Sequence, residues 1–298
     1  MRAAAILGLG CSAKDLKPFQ ADNGVEWRIG MPGAGEADVI LLFGGDGTIH
    51  RHLGELVKLE VPVLVVPAGS GNDFASSLGL RRVRDSLAAW RKFCGGEKNQ
   101  RAIDLGTISS ADSGAGGTSP GTRYYCCVAG VGLDGAVAER ANRMPRWLRG
   151  HGGYALSLAP AIFTFAPFSA KVQVRSGDHD AGQWTMRSDQ PTLIVAIANT
   201  PLYGGGMKVA PRAQMDDGLL DVCVVAGMDP FRLFCMFPTV YAGRHLSIKE
   251  VEYFQAAGVR VETEYPMDVY ADGEYVCRTP VEVSAQRGAL KVMAPVDC

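Results

Sequence analysis

Two glycine-rich stretches and two acidic turns are the places where this sequence could do chemistry. Gly44-Gly45-Asp46-Gly47-Thr48 follows an unbroken apolar run and precedes a helical pattern. Glycines there let backbone N–H groups approach phosphate oxygens, and the following helix N-terminus adds its positive dipole end. Thr48 adds a hydroxyl. Asp46 would repel a phosphate unless a substrate hydroxyl or a metal takes its charge, and a magnesium ion bridging it to a nucleotide resolves the conflict. A tight strand-to-helix turn capped by Asp46 is the plainer reading of the same residues. Pro67-Ala68-Gly69-Ser70-Gly71-Asn72-Asp73-Phe74-Ala75 repeats the pattern after a second apolar run, with a hydroxyl and two capping residue types. Adjacent glycine loops at the carboxyl ends of parallel strands define a ligand crevice.

Asp272-Gly273-Glu274 places two carboxylates on one turn. Phosphoryl transfer needs a group that accepts the alcohol proton, and either acid fits; a hairpin with solvated acids is the alternative. Asp216-Asp217-Gly218 taken alone reads as a solvated turn. Gly204-Gly205-Gly206 is either a loop with positive φ or a close approach to a ligand, and both readings stay open. Gly8-x-Gly10-x-x-Ala13 after a strand is a weak dinucleotide fingerprint with Glu26 as a conceivable ribose acid, which makes a dehydrogenase a minor alternative.

The elements that must hold these residues follow from periodicity. Residues 3–9, 39–43 and 61–66 read as buried strands, with helices over 49–59, from Asn72, and over 81–93 stopped by Gly95-Gly96. Continuous apolar strands joined by helices predict a parallel sheet covered on both faces. Beyond Arg101 short strands dominate: 102–108, 122–128, 170–175, 192–198, 219–225, 258–262, 267–270, 281–284 and 289–293. They predict an antiparallel sandwich or barrel, with helices over 135–142 and 154–165 and a Ser/Gly-rich loop over 109–121. The expected domains are 1–102 with a returning segment 289–298, an α/β unit, and 103–288, a β-sandwich.

Composition narrows the classes. The 298 residues carry 30 Lys+Arg against 31 Asp+Glu, a net charge of −1, which disfavours nucleic-acid binding. Glycine, at 37 residues, is in excess of ordinary usage and marks unusual backbone angles or close approaches. The eight cysteines form no CxxC pair, and several lie in apolar runs, so a reduced, cytoplasmic protein is expected. The His50-x-His52 pair reads as helix surface. Met1-Arg2 before a short apolar run and Cys11 faintly resembles a secretion signal, but a first buried strand fits better. No apolar run reaches membrane-spanning length; 154–168 is interrupted by Pro160 and Pro167. That stretch and 231–241 are read as helices packed on the sandwich, or alternatively as the lining of a lipid entrance. Arg140, Arg143, Arg146 and Arg149 near Trp147 are read equally as a headgroup contact or a solvated face.

Taken together, Gly44 to Thr48, Pro67 to Ala75, Asn199-Thr200-Pro201-Leu202-Tyr203-Gly204-Gly205-Gly206-Met207, Ala210-Pro211-Arg212-Ala213, Asp216-Asp217-Gly218-Leu219-Leu220-Asp221 and Asp272-Gly273-Glu274 form an ordered set. With it the sequence resembles the bacterial diacylglycerol kinase-like family of lipid kinases, related to sphingosine and NAD kinases. The resemblance implies an NAD-kinase/diacylglycerol-kinase-like α/β domain and a sandwich domain. It implies ATP and Mg2+ held at Gly44, Gly45, Asp46, Gly47, Thr48, Gly69, Ser70, Gly71 and Asn72, with Asp46, Asp272 and Glu274 as catalytic candidates. It also implies a structural metal at Asp217 with main-chain oxygens of Gln214 and Leu219. The implied activity is transfer of the ATP γ-phosphate to a lipid hydroxyl by a cytoplasmic, peripherally membrane-associated enzyme. Its partner is a lipid at the membrane surface, with no nucleic acid and with a homodimer allowed. An NAD kinase-like enzyme and a non-catalytic lipid- or nucleotide-binding regulator are the alternatives. The sequence departs from the family in lacking an Asn-Pro loop after the first strand, in a short segment before Val39, and in Cys127, where the family often has asparagine.

Overall fold

The computed structural model describes residues 1–21, 24–110, 122–143, 154–175 and 183–295. It divides into two compact units, Met1–Asp104 with Arg287–Cys298, and Leu105–Gln286. Both crossings fall inside strands, two residues away from the expected positions at 102 and 288. A strand passing from one unit to another carries no composition change at the border.

The first unit contains β1 (Arg2–Leu7), α1 (Ala13–Leu16), β2 (Glu26–Ile29), β3 (Val39–Gly44), α2 (Asp46–Leu59), β4 (Val63–Pro67), α3 (Asp73–Ser77) and α4 (Val83–Cys94). Its sheet runs β4-β3-β1-β2 with parallel pairing throughout, Ala3 opposite Val39 and Leu41 opposite Leu64. Every residue of β3 and β4 is buried, as expected of strands covered on both faces. Helix α2 turns Ile49, Leu53 and Leu56 inward, a one-face spacing. Helix α4 is pinned to the sheet by the Ser86 hydroxyl, which donates to the Val65 carbonyl at 2.8 Å, while Trp90 Nε1 donates to Phe19 O at 2.9 Å. Among its described residues, the short segment before Val39 holds the four-residue α1, a 3-10 turn over Lys17–Ala21 and the edge strand β2. Strand β2 is mostly exposed, which is why no buried pattern announces it in the sequence.

The second unit begins within β5 (Gln100–Ser110) and continues through β6 (Arg123–Tyr125), β7 (Val128–Gly132), α5 (Leu133–Arg143), α6 (Tyr154–Thr164), β8 (Phe168–Arg175), β9 (Thr185–Ala198), β10 (Leu220–Ala226), α7 (Pro230–Met236), β11 (Val251–Ala256), β12 (Gly258–Thr263), β13 (Asp268–Ala271), β14 (Glu274–Arg278) and β15 (Val281–Met293). The pairings β14-β13, β13-β7, β7-β9, β9-β8, β8-β12 and β12-β15 are antiparallel. Strand β9 also pairs with β10, and β10 with β11. Val131, Val172, Val195, Val222 and Val259 share one buried core. Leu133, Val137, Leu158, Ile162 and Leu233 of α5, α6 and α7 form a second cluster.

Two expectations are corrected. Strands expected at 281–284 and 289–293 are one strand, β15, whose end pairs in parallel with β4 at Val292 and Val63. Its middle is polar because Arg287 and Gly288 are exposed, and this mimics a turn in the sequence. The strand expected over 122–128 breaks at Cys126 and Cys127 into β6 and β7, because the amides there bond to a side chain instead of a neighbouring strand. Of the loop expected over 109–121, residues 111–121 lie outside the described residues, as do Arg146, Trp147, Arg149 and the Arg143 side chain. No described cysteine is disulfide-bonded. No helix among the described residues is long and apolar enough to cross a membrane.

Candidate functional site

In the first unit the two glycine stretches are brought together, and their glycines pack against one another. A Cβ on Gly45 would lie 2.3 Å from the Gly71 carbonyl oxygen, and one on Gly69 would lie 2.3 Å from the Gly45 Cα. Gly44 abuts the Thr48 side chain in the same way. Gly44 and Gly45 are buried, so the first reason for glycine here is loop-on-loop contact, not an open cradle. Gly45 is the N-cap of α2, and Asp46, Gly47 and Thr48 form its first turn, so the loop is shorter than expected.

Asp46 fastens the pair. Its Oδ2 accepts the Asp73 amide at 3.0 Å and its Oδ1 the Phe74 amide at 3.1 Å, while its own amide donates to the Gly71 carbonyl at 3.1 Å. Asn72 braces the second loop from within: Oδ1 accepts the Gly69 amide at 3.0 Å and Nδ2 donates to the Gly69 carbonyl at 2.8 Å. Ser70 is exposed, and among the described residues the Ser70 and Gly71 amides donate no hydrogen bond. Those amides and the first turn of α2 are what the unit presents to an anion. Gly8 is consumed by packing too. Its amide donates to the Phe43 carbonyl at 2.7 Å, and α1 beyond it is a single turn, so the dinucleotide fingerprint has no helix to act through.

In the second unit the two carboxylates of the 272–274 turn have different fates. Asp272 adopts a left-handed conformation, φ 50°, and faces the break between β6 and β7. Its Oδ2 accepts the Cys126 amide at 2.9 Å, and its Oδ1 accepts those of Cys127 at 2.8 Å and Val128 at 3.3 Å. Glu274 opens β14 and is exposed, and its side chain makes no hydrogen bond or ion pair among the described residues. The turn thus holds one carboxylate engaged in structure and one available to a solvent-side proton.

Asp217 sits on the turn before β10, where its Oδ1 accepts the Leu219 amide at 2.9 Å. Its Oδ2 shares the Gln255 amide group with the buried Asp221, at 3.3 and 3.4 Å. Burial, with a smaller contribution from the Asp217 charge, raises the Asp221 carboxyl above its usual range; the Tyr253 hydroxyl, donating at 2.5 Å, and nearby Arg212 oppose that. Two acids with an excess of negative charge and only oxygen donors suit a hard cation. Gln214 is exposed on the preceding turn.

A feature absent from the residue motifs is an apolar cavity of about 90 Å³, open to solvent on one side, inside the second unit. Helices α5, α6 and α7 and the strands behind them supply walls such as Val137, Leu158, Ile162, Leu233 and Phe237. Asp134 and His245 stand in its lining, beside Tyr203 and Cys223, and both are buried. Burial lowers the His245 pKa; its ring bonds to the Val209 carbonyl at 3.1 Å. Tyr203 and Met207, paired as an isolated bridge around Gly204 to Gly206, also line it. All three glycines have positive φ, so the triplet is a turn that L side chains would strain. The stretches 154–165 and 231–241 are therefore both packed helices and cavity lining. Asp134 was not singled out from the sequence, and its placement beside Gly130, where a Cβ would lie 2.1 Å from Oδ2, leaves no local motif to find.

Comparison with known proteins agrees with this architecture. Residues 29–108 match the model of the diacylglycerol kinase catalytic domain, and residues 127–294 match the YegS C-terminal NAD kinase beta sandwich-like domain. A Mycobacterium tuberculosis protein named diacylglycerol kinase is 32% identical over 258 residues, covering 87% of this chain and 77% of the relative. A crystal structure from Bacillus anthracis, described provisionally as a diacylglycerol kinase, matches with TM-score 0.72 at 20% identity over 99% of this chain and 97% of that one. An Archaeoglobus fulgidus NAD kinase solved with ATP matches with TM-score 0.52 at 16% identity, covering 98% and 93%. The chain belongs to the diacylglycerol kinase and YegS-like family of kinases, an α/β domain joined to a β-sandwich-like domain.

Proposed function

We propose that the protein transfers the γ-phosphate of ATP to the hydroxyl of a diacylglycerol-like lipid. The observation that carries the acceptor's class is the cavity's predominantly apolar lining, which suits an acyl chain better than the ribose and phosphates of NAD. Asp134 is the carboxylate in its wall, suited to hold the acceptor hydroxyl end. The exposed Glu274 accepts the proton of the attacking hydroxyl, and Asp272 positions the turn that carries it. Ser70, Gly71 and the first turn of α2 hold phosphate oxygens, with Asp46 and Asn72 keeping the loops in shape. ATP supplies the transferred phosphoryl group, and Mg2+ supplies the charge neutralisation that such a transfer requires. Phe163, Phe231, Phe234 and Tyr241 are exposed on or beside α6 and α7, and support peripheral contact with a lipid surface.

The test is incubation with γ-labelled ATP and vesicles containing diacylglycerol, with NAD offered in parallel. Labelled phospholipid is expected; labelled dinucleotide without phospholipid would remove the lipid reading. Val240→Trp narrows the cavity from a partly exposed 3-10 turn. It is expected to raise the KM for long-chain lipid by about tenfold or more while the KM for ATP stays unchanged.

We further propose a structural Mg2+ at Asp217, with main-chain oxygens of Gln214 and Leu219. A chelator is then expected to lower the Tm of the wild-type protein but not that of Asp217→Ala. Equal melting of the untreated and chelated wild-type protein would remove the ion from the account.

A further inference from the structure

Cys126 and Cys127 are adjacent, buried, and held with their thiols on the same side. The Cys126 and Cys127 amides bond to the Asp272 carboxylate, as above. From the other direction Asn199 Nδ2 donates to the Cys126 carbonyl at 3.1 Å, and the Asn199 amide donates to that of Cys127 at 2.8 Å. The dipeptide is thus clamped at both its amides and both its carbonyls. The two Sγ atoms lie 3.9 Å apart, and Cys126 Sγ lies 3.4 Å from Asp272 Oδ2. One ligand atom from each of the three residues falls within 4.8 Å of the others.

The two spacings of 3.9 and 3.4 Å match edges of a metal-centred tetrahedron. With ordinary zinc bond lengths, two thiolates on one ion are about 3.8 Å apart, and a thiolate and a carboxylate oxygen about 3.5 Å apart. We propose that Cys126, Cys127 and Asp272 form a binding site for a soft divalent cation of the zinc type, with the fourth position open. Thiolate donors select such an ion over magnesium, so this site is chemically separate from the oxygen donors at Asp217. Binding exchanges protons for metal: two thiols and one carboxylate take up one M2+ and release two protons. The pair needs no help from the kinase reading, since the ligands are fixed by the backbone clamp.

The experiment uses the full-length reduced protein, stripped of metal with chelator and titrated with Co2+, with Zn2+ added afterwards. One equivalent of Co2+ is expected to give a thiolate-to-cobalt charge-transfer band that Zn2+ abolishes. Cys126→Ala and Cys127→Ser should each lose the band, whereas Cys235→Ser, at an exposed cysteine, should keep it. Proton release on adding Zn2+ to the wild-type protein in weak buffer should approach two per ion, a readout that does not depend on any variant folding. A missing band, a band surviving in both thiol variants, or release of no protons would overturn the site. Lipid phosphorylation enters none of these readouts, so failure here leaves the kinase reading standing and the reverse also holds.

Discussion

Glu274→Gln is expected to lower kcat by roughly two to four orders of magnitude, the usual worth of a positioned general base, with almost no change in Tm. The side chain is exposed at the start of β14 and makes no hydrogen bond or ion pair among the described residues, so its removal leaves no buried group unpaired. Glutamine keeps the shape and loses the ability to accept a proton. Asp272→Asn is the informative contrast. Asparagine tolerates the left-handed backbone at that position, so the turn survives. One carboxylate oxygen becomes an NH2 group facing an amide donor, which costs about 1–3 kcal/mol. Asp272→Asn should therefore lower Tm as well as activity, and Glu274→Gln activity alone. Wild-type turnover in Glu274→Gln would exclude it as the proton acceptor. A Tm loss equal to that of Asp272→Asn would place Glu274 in the fold instead.

That difference between neighbouring acids marks where sequence reading stops. The buried strands β3 and β4 were legible because both faces are covered and every residue is apolar. Helix α2 was legible from its one-sided spacing, and the two glycine stretches from their position after those strands. What Asp46 and Asp272 bond to was not legible. Their partners, Asp73 and Phe74 in one case and Cys126 to Val128 in the other, lie far away in the chain and are backbone amides, which leave no residue-type signature. The break at Cys126 and Cys127 follows from that same hidden bond. Strands β11 and β14 went unread because their residues are half-exposed or mixed, so neither a continuous apolar run nor a clean alternation forms. The cavity was unreadable for a related reason. Apolar residues that line an empty volume and apolar residues that fill a core have the same pattern, and only the placement of α5, α6 and α7 separates them.

Asp46→Ala is expected to abolish turnover to within the limits of assay, at least about a hundredfold loss, and also to weaken the fold before any nucleotide is added. Read from the sequence alone, Asp46 is a ligand, and its removal should leave the ligand-free protein as stable as before. The structure makes it a staple: its two oxygens accept the Asp73 and Phe74 amides, so alanine leaves two part-buried donors unpaired and frees the second loop from the first. The cost is about 1–3 kcal/mol in total, a fall of several degrees in Tm. Because Gly45 and Gly69 touch backbone to backbone, a small shift of one loop displaces the other, and with it the Ser70 and Gly71 amides. Asp46→Asn keeps an acceptor for one of the two amides but turns an NH2 group toward the other, so Tm should fall in this variant as well, and a lost metal or phosphate contact would cost activity in both variants alike. If ligand-free Asp46→Ala melts with the wild-type protein, the staple is wrong and Asp46 acts on the ligand directly.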